Sequence, residues 1–182
     1  MYGDSILASN TPVQQDLETF GHVEIQNFAK IGAGMRDGWV ESIPSVYVQN
    51  KDLVAPDTII LNGGGNDINS VRRDCLDMTQ TCNNTIDQVV AVIDSLMQDM
   101  KRDGVGDIVY VGFFNLCGFE RAVDSGNDKI QDVCSRTSHC YFVDLRVVPI
   151  VVGWDGMHPI EASYHDISHE IWKTMVKHNI PL

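Results

Sequence analysis

Apolar and polar positions along the chain follow two different periods. Thr58–Asn62 and Asp107–Phe114 are short runs dense in Ile, Val and aromatic side chains, and Val23–Ala29 and Cys140–Leu145 are weaker runs of the same kind. Such runs predict β-strands. Between them, Thr85–Arg102 places Ile86, Val89, Val90, Ile93, Leu96, Met97 and Met100 at helical spacing, with Asn84 as its expected N-cap. Asp128–Ser135 carries a weaker helical pattern. Ala162–His178 closes the chain, with Ile167, Ile171, Trp172, Met175 and Val176 on its buried side. Strands alternating with longer amphipathic stretches imply an α/β fold whose parallel sheet is joined by crossover helices. No repeat, low-complexity tract or dividing linker interrupts the pattern, so residues 1–182 read as a single domain.

Composition narrows the partners. The chain has 43% hydrophobic and 21% charged residues, as a soluble domain with a real core should. Its formal charge of −12 argues against nucleic acid, whose phosphates need a basic face, and against an anionic membrane surface. No apolar run is long enough for a membrane span. A small neutral or positively charged molecule is an easier partner to admit than a polyanion. The sequence is silent on oligomeric state.

There are five cysteines. Cys75 and Cys82, and Cys134 and Cys140, lie close enough in sequence to close small loops; reduced thiols are the alternative. The spacing is not that of a paired C-x-x-C zinc site. Disulfides would favour a secreted or periplasmic setting over a cytoplasmic one.

Four segments carry candidate chemistry. In Asp155-Gly-Met-His158-Pro, a carboxylate three residues before a histidine can reach one ring nitrogen and leave the other free to accept a proton. In Gly3-Asp4-Ser5, a serine lies where a strand is expected to hand over to a helix, whose N–H groups favour negative charge. By itself that serine is equally an ordinary N-cap. Gly64-Gly65-Asn66-Asp67 follows a predicted strand; its glycines permit close backbone approach, and the Asn66 amide can donate to an oxyanion. A phosphate loop is excluded because no G-K-[ST] follows. Asn27 through Gly34 supplies Gly32 and Gly34, whose backbone N–H groups could reach the same oxyanion. All four segments fall at the predicted carboxyl ends of strands or before the last helix, on one rim of an open parallel sheet.

In that order and composition the chain resembles the SGNH hydrolases, also called GDSL esterases. Gly3-Asp4-Ser5-Ile6 is similar to the first block, Asn27–Gly32 to the second, Gly64–Asp67 to the third and Asp155–Pro159 to the last. The resemblance implies a three-layer α/β/α, flavodoxin-like fold with a five-stranded parallel sheet. It implies a Ser5–His158–Asp155 triad. It implies oxyanion donors at the Ser5 and Gly32 backbone N–H groups and the Asn66 side chain. No metal or organic cofactor is implied. The expected activity is hydrolysis of carboxylic esters through an acyl-enzyme. With no evident lid insertion, short acyl groups such as acetyl on small alcohols or carbohydrates are favoured. A histidine acting as base makes the rate fall as pH drops through roughly 6–7.

Other readings follow from the same residues. A thioesterase or lysophospholipase of the same family uses the same triad, and a non-catalytic carbohydrate-binding module could keep the fold without turnover. A metal hydrolase would need His165 and His169 as ligands, but Lys173 stands where H-E-x-x-H requires its second histidine, so both histidines read as solvated. Met35, Trp39 and the Leu116–Phe119 loop are candidate pocket residues. One local feature is odd: a strand feeding the Ser5 loop needs about five residues. Only Met1 and Tyr2 precede Gly3, so this strand reads as truncated.

Overall fold

The computed structural model describes residues 1–52 and 56–181. Its central element is a parallel sheet in the order β1 (Thr58–Leu61), β2 (Asp107–Val111), β3 (Cys140–Val143). The register is simple, with Ile60 beside Val109 and Tyr110 beside Phe142. Alternation along each strand sends side chains to opposite faces. Ile59, Leu61, Ile108 and Tyr110 enter one core with Val46, Ile93, Met97 and Ile130. Ile60, Val109, Val111 and Val143 enter the other with Leu7, Leu17, Ile167 and Ile171.

The helices supply those two outer layers. On the first face lie α2 (Ile43–Asn50), α5 (Gln80–Arg102) and α6 (Glu120–Arg136). On the second lie α1 (Pro12–Gly21) and α7 (Glu161–His178). Two short helices, α3 (Gly65–Ser70) and α4 (Arg72–Asp77), lead from β1 into α5. The three-layer α/β/α arrangement expected from the sequence is therefore present.

The five strands are not: among the described residues the sheet has three. Val23–Ala29 forms no strand. The reason is visible in its hydrogen bonds. Met1–Gly3 lies between this segment and β1, with Tyr2 N–H donating to Ile60 O and Asn62 N–H to Tyr2 O, at 2.9 and 3.2 Å. On the other side, Phe28 N–H donates to Met1 O and Lys30 N–H to Gly3 O, both at 2.9 Å. These bonds make one bridge, Tyr2 to Leu61, and a ladder needs a run of them. The two missing strands are thus positions in the sheet held by isolated hydrogen bonds.

Helix boundaries also differ from expectation. α5 begins at Gln80 with Thr79 as N-cap, rather than at Thr85 with Asn84 as N-cap. α6 begins at Glu120, eight residues before the predicted Asp128. β2 and β3 stop at Val111 and Val143, because the chain then turns into the loops at the carboxyl rim.

Cys75–Cys82 and Cys134–Cys140 are disulfides, and Cys117 is a free, exposed thiol. The first ties α4 to α5 and packs with Ile86, Phe119 and Ala122. A loop closed over a sequence separation of 7 contributes about 2–3 kcal/mol in the chain-entropy account. Cys75→Ser combined with Cys82→Ser should lower Tm by about 5–10 °C. A thermal melt of the double variant matching the parent would show that the bond contributes nothing. No helix among the described residues is long and apolar enough to cross a membrane.

Candidate active site

Parallel strands place their carboxyl ends on one rim, and the loops there converge. After Tyr2 comes Gly3-Asp4-Ser5; after β1 comes Asn62-Gly63-Gly64-Gly65-Asn66; after β2 comes Gly112-Phe113-Phe114. The Ser5 turn is locked to its neighbour by side chains. Asp4 N–H donates to Asn62 Oδ1, and Asn62 Nδ2 donates back to Asp4 Oδ1, both at 3.0 Å. Ile6 N–H adds a third bond to Asp4 Oδ1 at 3.0 Å. Burial pushes the Asp4 carboxyl above its ordinary range, and those N–H donors partly offset this. Gly3 is required for space: a Cβ there would lie 1.9 Å from Asn62 Oδ1. Ser5 itself does not cap a helix. Residues 4–10 form turns, and α1 starts only at Pro12, so the helix N-terminus expected beside the serine is not there.

His158 arrives from a separate loop. This loop is closed at its base by Ile160 N–H donating to Val151 O at 2.9 Å and Gly153 N–H donating to His158 O at 2.7 Å. Within it, Asp155 Oδ1 accepts the backbone N–H groups of Met157 and His158, each at 2.9 Å. Asp155 Oδ2 lies 2.6 Å from His158 Nδ1. His158 Nε2 lies 2.9 Å from Ser5 Oγ. The side-chain bond from His158, followed by the two backbone N–H bonds, holds the Asp155 carboxyl down at about 2. Asp155 is therefore ionised across the whole neutral range. The Ser5, His158 and Asp155 side chains, brought from opposite ends of the chain, form one continuous hydrogen-bonded line.

Asn66 stands at the start of α3, partly exposed, with Nδ2 donating to Ala33 O at 2.9 Å. An amide carries two N–H donors, so one is left for a ligand. Gly32 lies in the neighbouring loop. Ala33 N–H donates to Lys30 O at 3.0 Å, and Gly32 has φ +83°. That is a type II turn with glycine at its third position. The same loop is fixed by Asp67, whose carboxylate accepts Met35 N–H at 2.7 Å and Arg36 N–H and Nε at 3.1 Å.

Beside Ser5 lies a cavity of about 120 Å³, lined by Ser5, Asn66 and His158 and by apolar side chains of α5 and α6. Gly32 is not among its lining residues. Leu116 and Phe119 are, as anticipated. Met35 and Trp39 are not: Met35 is buried in the core and Trp39 is fully exposed. His165 does not stand free, since its Nδ1 lies 2.7 Å from Asp16 Oδ2. His169 packs on the Phe20 ring.

Three residues that hold this site escaped sequence reasoning. Asn62 resembles a turn residue after a strand, yet it clamps the Ser5 turn. Asn127, wholly buried on α6, donates to Phe113 O at 2.8 Å and accepts Phe113 N–H at 3.0 Å. Tyr110 on β2 donates its hydroxyl to Gly63 O at 2.7 Å. The signal for Asn127 was a polar side chain on an otherwise apolar helical stripe.

No family model matches the sequence, and no curated protein matches it. The fold has clear relatives among solved structures. A catalytic mutant of an acetylxylan esterase from Geobacillus stearothermophilus superposes with TM-score 0.73 at 16% identity, over 95% of this chain and 91% of that one. A family 3 carbohydrate esterase from Clostridium thermocellum gives TM-score 0.68 at 15% identity, over 97% and 93%. A protein of Desulfitobacterium hafniense described as lipolytic and of the G-D-S-L family gives 0.66 at 11%, over 95% and 96%. The chain shares its α/β fold with these two esterases and with the G-D-S-L family protein.

Proposed function

We propose that the protein is a serine hydrolase of carboxylic esters acting through an acyl-enzyme. The observation that carries this reading is the unbroken line from Ser5 Oγ through His158 to Asp155. Asp155 keeps the Nδ1 proton on its own side, so Nε2 presents a lone pair to Ser5. Ser5 Oγ attacks the ester carbonyl and forms the Oγ–C bond while His158 Nε2 takes the hydroxyl proton. The C–O bond to the alcohol then breaks, and His158 returns that proton to the leaving alkoxide. Water, deprotonated by His158, attacks the acyl-enzyme; the acid leaves and Ser5 regains its proton. The second Asn66 N–H and the backbone N–H groups of Ser5 and Gly32 are the proposed donors to the oxyanion; losing one such donor costs roughly 10²–10³ in turnover.

The alcohol side is open to solvent. Trp154, fully exposed one residue before Asp155, offers a flat face of the kind that stacks on a sugar ring, which favours a carbohydrate or other small alcohol. Acetyl esterase activity in the description of solved neighbours agrees with short acyl groups.

A fluorophosphonate probe tests the proposal directly, because it labels only an activated serine. Labelling of the native protein at Ser5, seen by peptide mass spectrometry, is the expected result. A purified, folded protein that resists the probe and hydrolyses no ester would support the binding-module reading instead.

A further inference from the structure

The cavity beside Ser5 has a shape that hydrolysis of acetyl esters does not use. Besides Ser5, Asn66 and His158 it is lined by Phe113, by Ile86 and Val89 of α5 and by Ile130 of α6. Its walls are overwhelmingly apolar. Gly64, at φ +106°, forms part of the wall where a Cβ would meet Val89 Cγ1 at 2.8 Å. On α6, Gly126 borders the same cavity, and a Cβ built there meets nothing within 4 Å. Glycine in a helix interior costs roughly 0.5–1 kcal/mol relative to alanine, and no backbone geometry at Gly126 requires it. Its absent side chain leaves open space at a position that lines the cavity.

We infer that this cavity is an acyl pocket, kept open by Gly126, that takes a linear chain of about six carbons. The inference rests on the ester-hydrolase reading above. Size sets the chain length. An apolar cavity of roughly 150 Å³ takes up the six carbons of benzene, and this one measures about 120 Å³ with an open mouth. The acyl carbonyl sits at Ser5 and Asn66, and the chain points inward, away from the solvent-facing alcohol. An acetyl group fits the mouth and leaves the interior unfilled.

The test is a series of p-nitrophenyl esters from acetyl to dodecanoyl on the full chain, with Gly126→Leu and Gly126→Ala beside it. Each buried methylene contributes about fourfold, so the four added from acetyl to hexanoyl should raise kcat/KM by about 250-fold, with a decline beyond octanoyl. Gly126→Leu projects a side chain into the cavity and should cut the hexanoyl-to-acetyl ratio by at least about tenfold. Gly126→Ala should keep Tm at or above that of the parent and lower the ratio less. Rates that are flat or falling from acetyl to hexanoyl overturn the acyl pocket while leaving the esterase intact. If no ester is hydrolysed, the esterase reading fails by itself. Calorimetry with hexanoate and acetate then decides the pocket: tighter hexanoate binding, lost in Gly126→Leu, supports it, and equal or absent binding overturns it. The same titration decides the case in which Gly126→Leu does not fold.

Discussion

Ser5→Ala is expected to lower ester turnover by at least about 10⁴-fold while leaving the fold unchanged. The size follows from how the triad acts as a unit: removing the nucleophile leaves only binding and oxyanion stabilisation, a small remnant of the full acceleration. The fold should persist because the bond recorded for Ser5 Oγ is the one to His158. The turn around Ser5 is held by other groups, namely Asp4, Asn62 and the backbone of Ile6. Tm should therefore stay within a few degrees of the parent, as for substitutions that disturb no packing. Turnover near the parental rate in purified Ser5→Ala would end the serine-hydrolase reading, and loss of turnover with a collapsed Tm would mean that the turn was misjudged.

What could be read from the sequence depended on whether the deciding contact was local. Asp155 and His158 are three residues apart, and spacing alone brings their side chains together, as observed at 2.6 Å. β1 and β2 are runs of β-branched and apolar residues, buried on both faces, and their central residues were legible for that reason; β3 is a weaker, half-buried run. Ser5 was different. Locally it is a polar residue in a turn, and its place opposite His158 depends on pairing between strands far apart in sequence. The edge of the sheet differs for a related reason: Val23–Ala29 has strand-like composition, but its backbone bonds to Met1 and Gly3 are isolated ones that form no ladder.

The late start assigned to α6 has its own cause. Gly126 and Asn127 interrupt the apolar stripe between Ala122 and Ile130. Both do so in service of the rim: Asn127 saturates the Phe113 backbone, and Gly126 borders the cavity. Departures from a local pattern mark the positions where tertiary demands outweighed local helix propensity. α1 was missed although its signal was present, with Pro12 in the first turn and Val13 and Leu17 one turn apart.

Asp155→Asn should lower kcat by about 10⁴-fold, nearly as much as losing Ser5, although the substitution changes one atom's chemistry and almost no volume. Asp155 uses both oxygens. Oδ1 accepts two backbone N–H groups, and Oδ2 accepts the proton on His158 Nδ1. An asparagine can satisfy the backbone donors only by turning its oxygen to them, which presents its NH₂ to Nδ1. The imidazole must then place its proton on Nε2, where it faces Ser5 as a donor and cannot act as base. The opposite flip restores the tautomer but sets NH₂ against two backbone N–H groups and costs the loop its anchor. Neither arrangement works, whereas the carboxylate suits both at once. Its depressed titration, to about 2, makes this arrangement persistent. The stabilisation is fully present above the ordinary carboxylate range and is lost only as pH falls through that range towards 2. Any acid limb of the rate near neutral pH therefore belongs to a group other than Asp155. Kinetics of Asp155→Asn beside Asp155→Ala separate these effects. If both retain more than about a tenth of parental kcat, the aspartate orients nothing that the reaction needs.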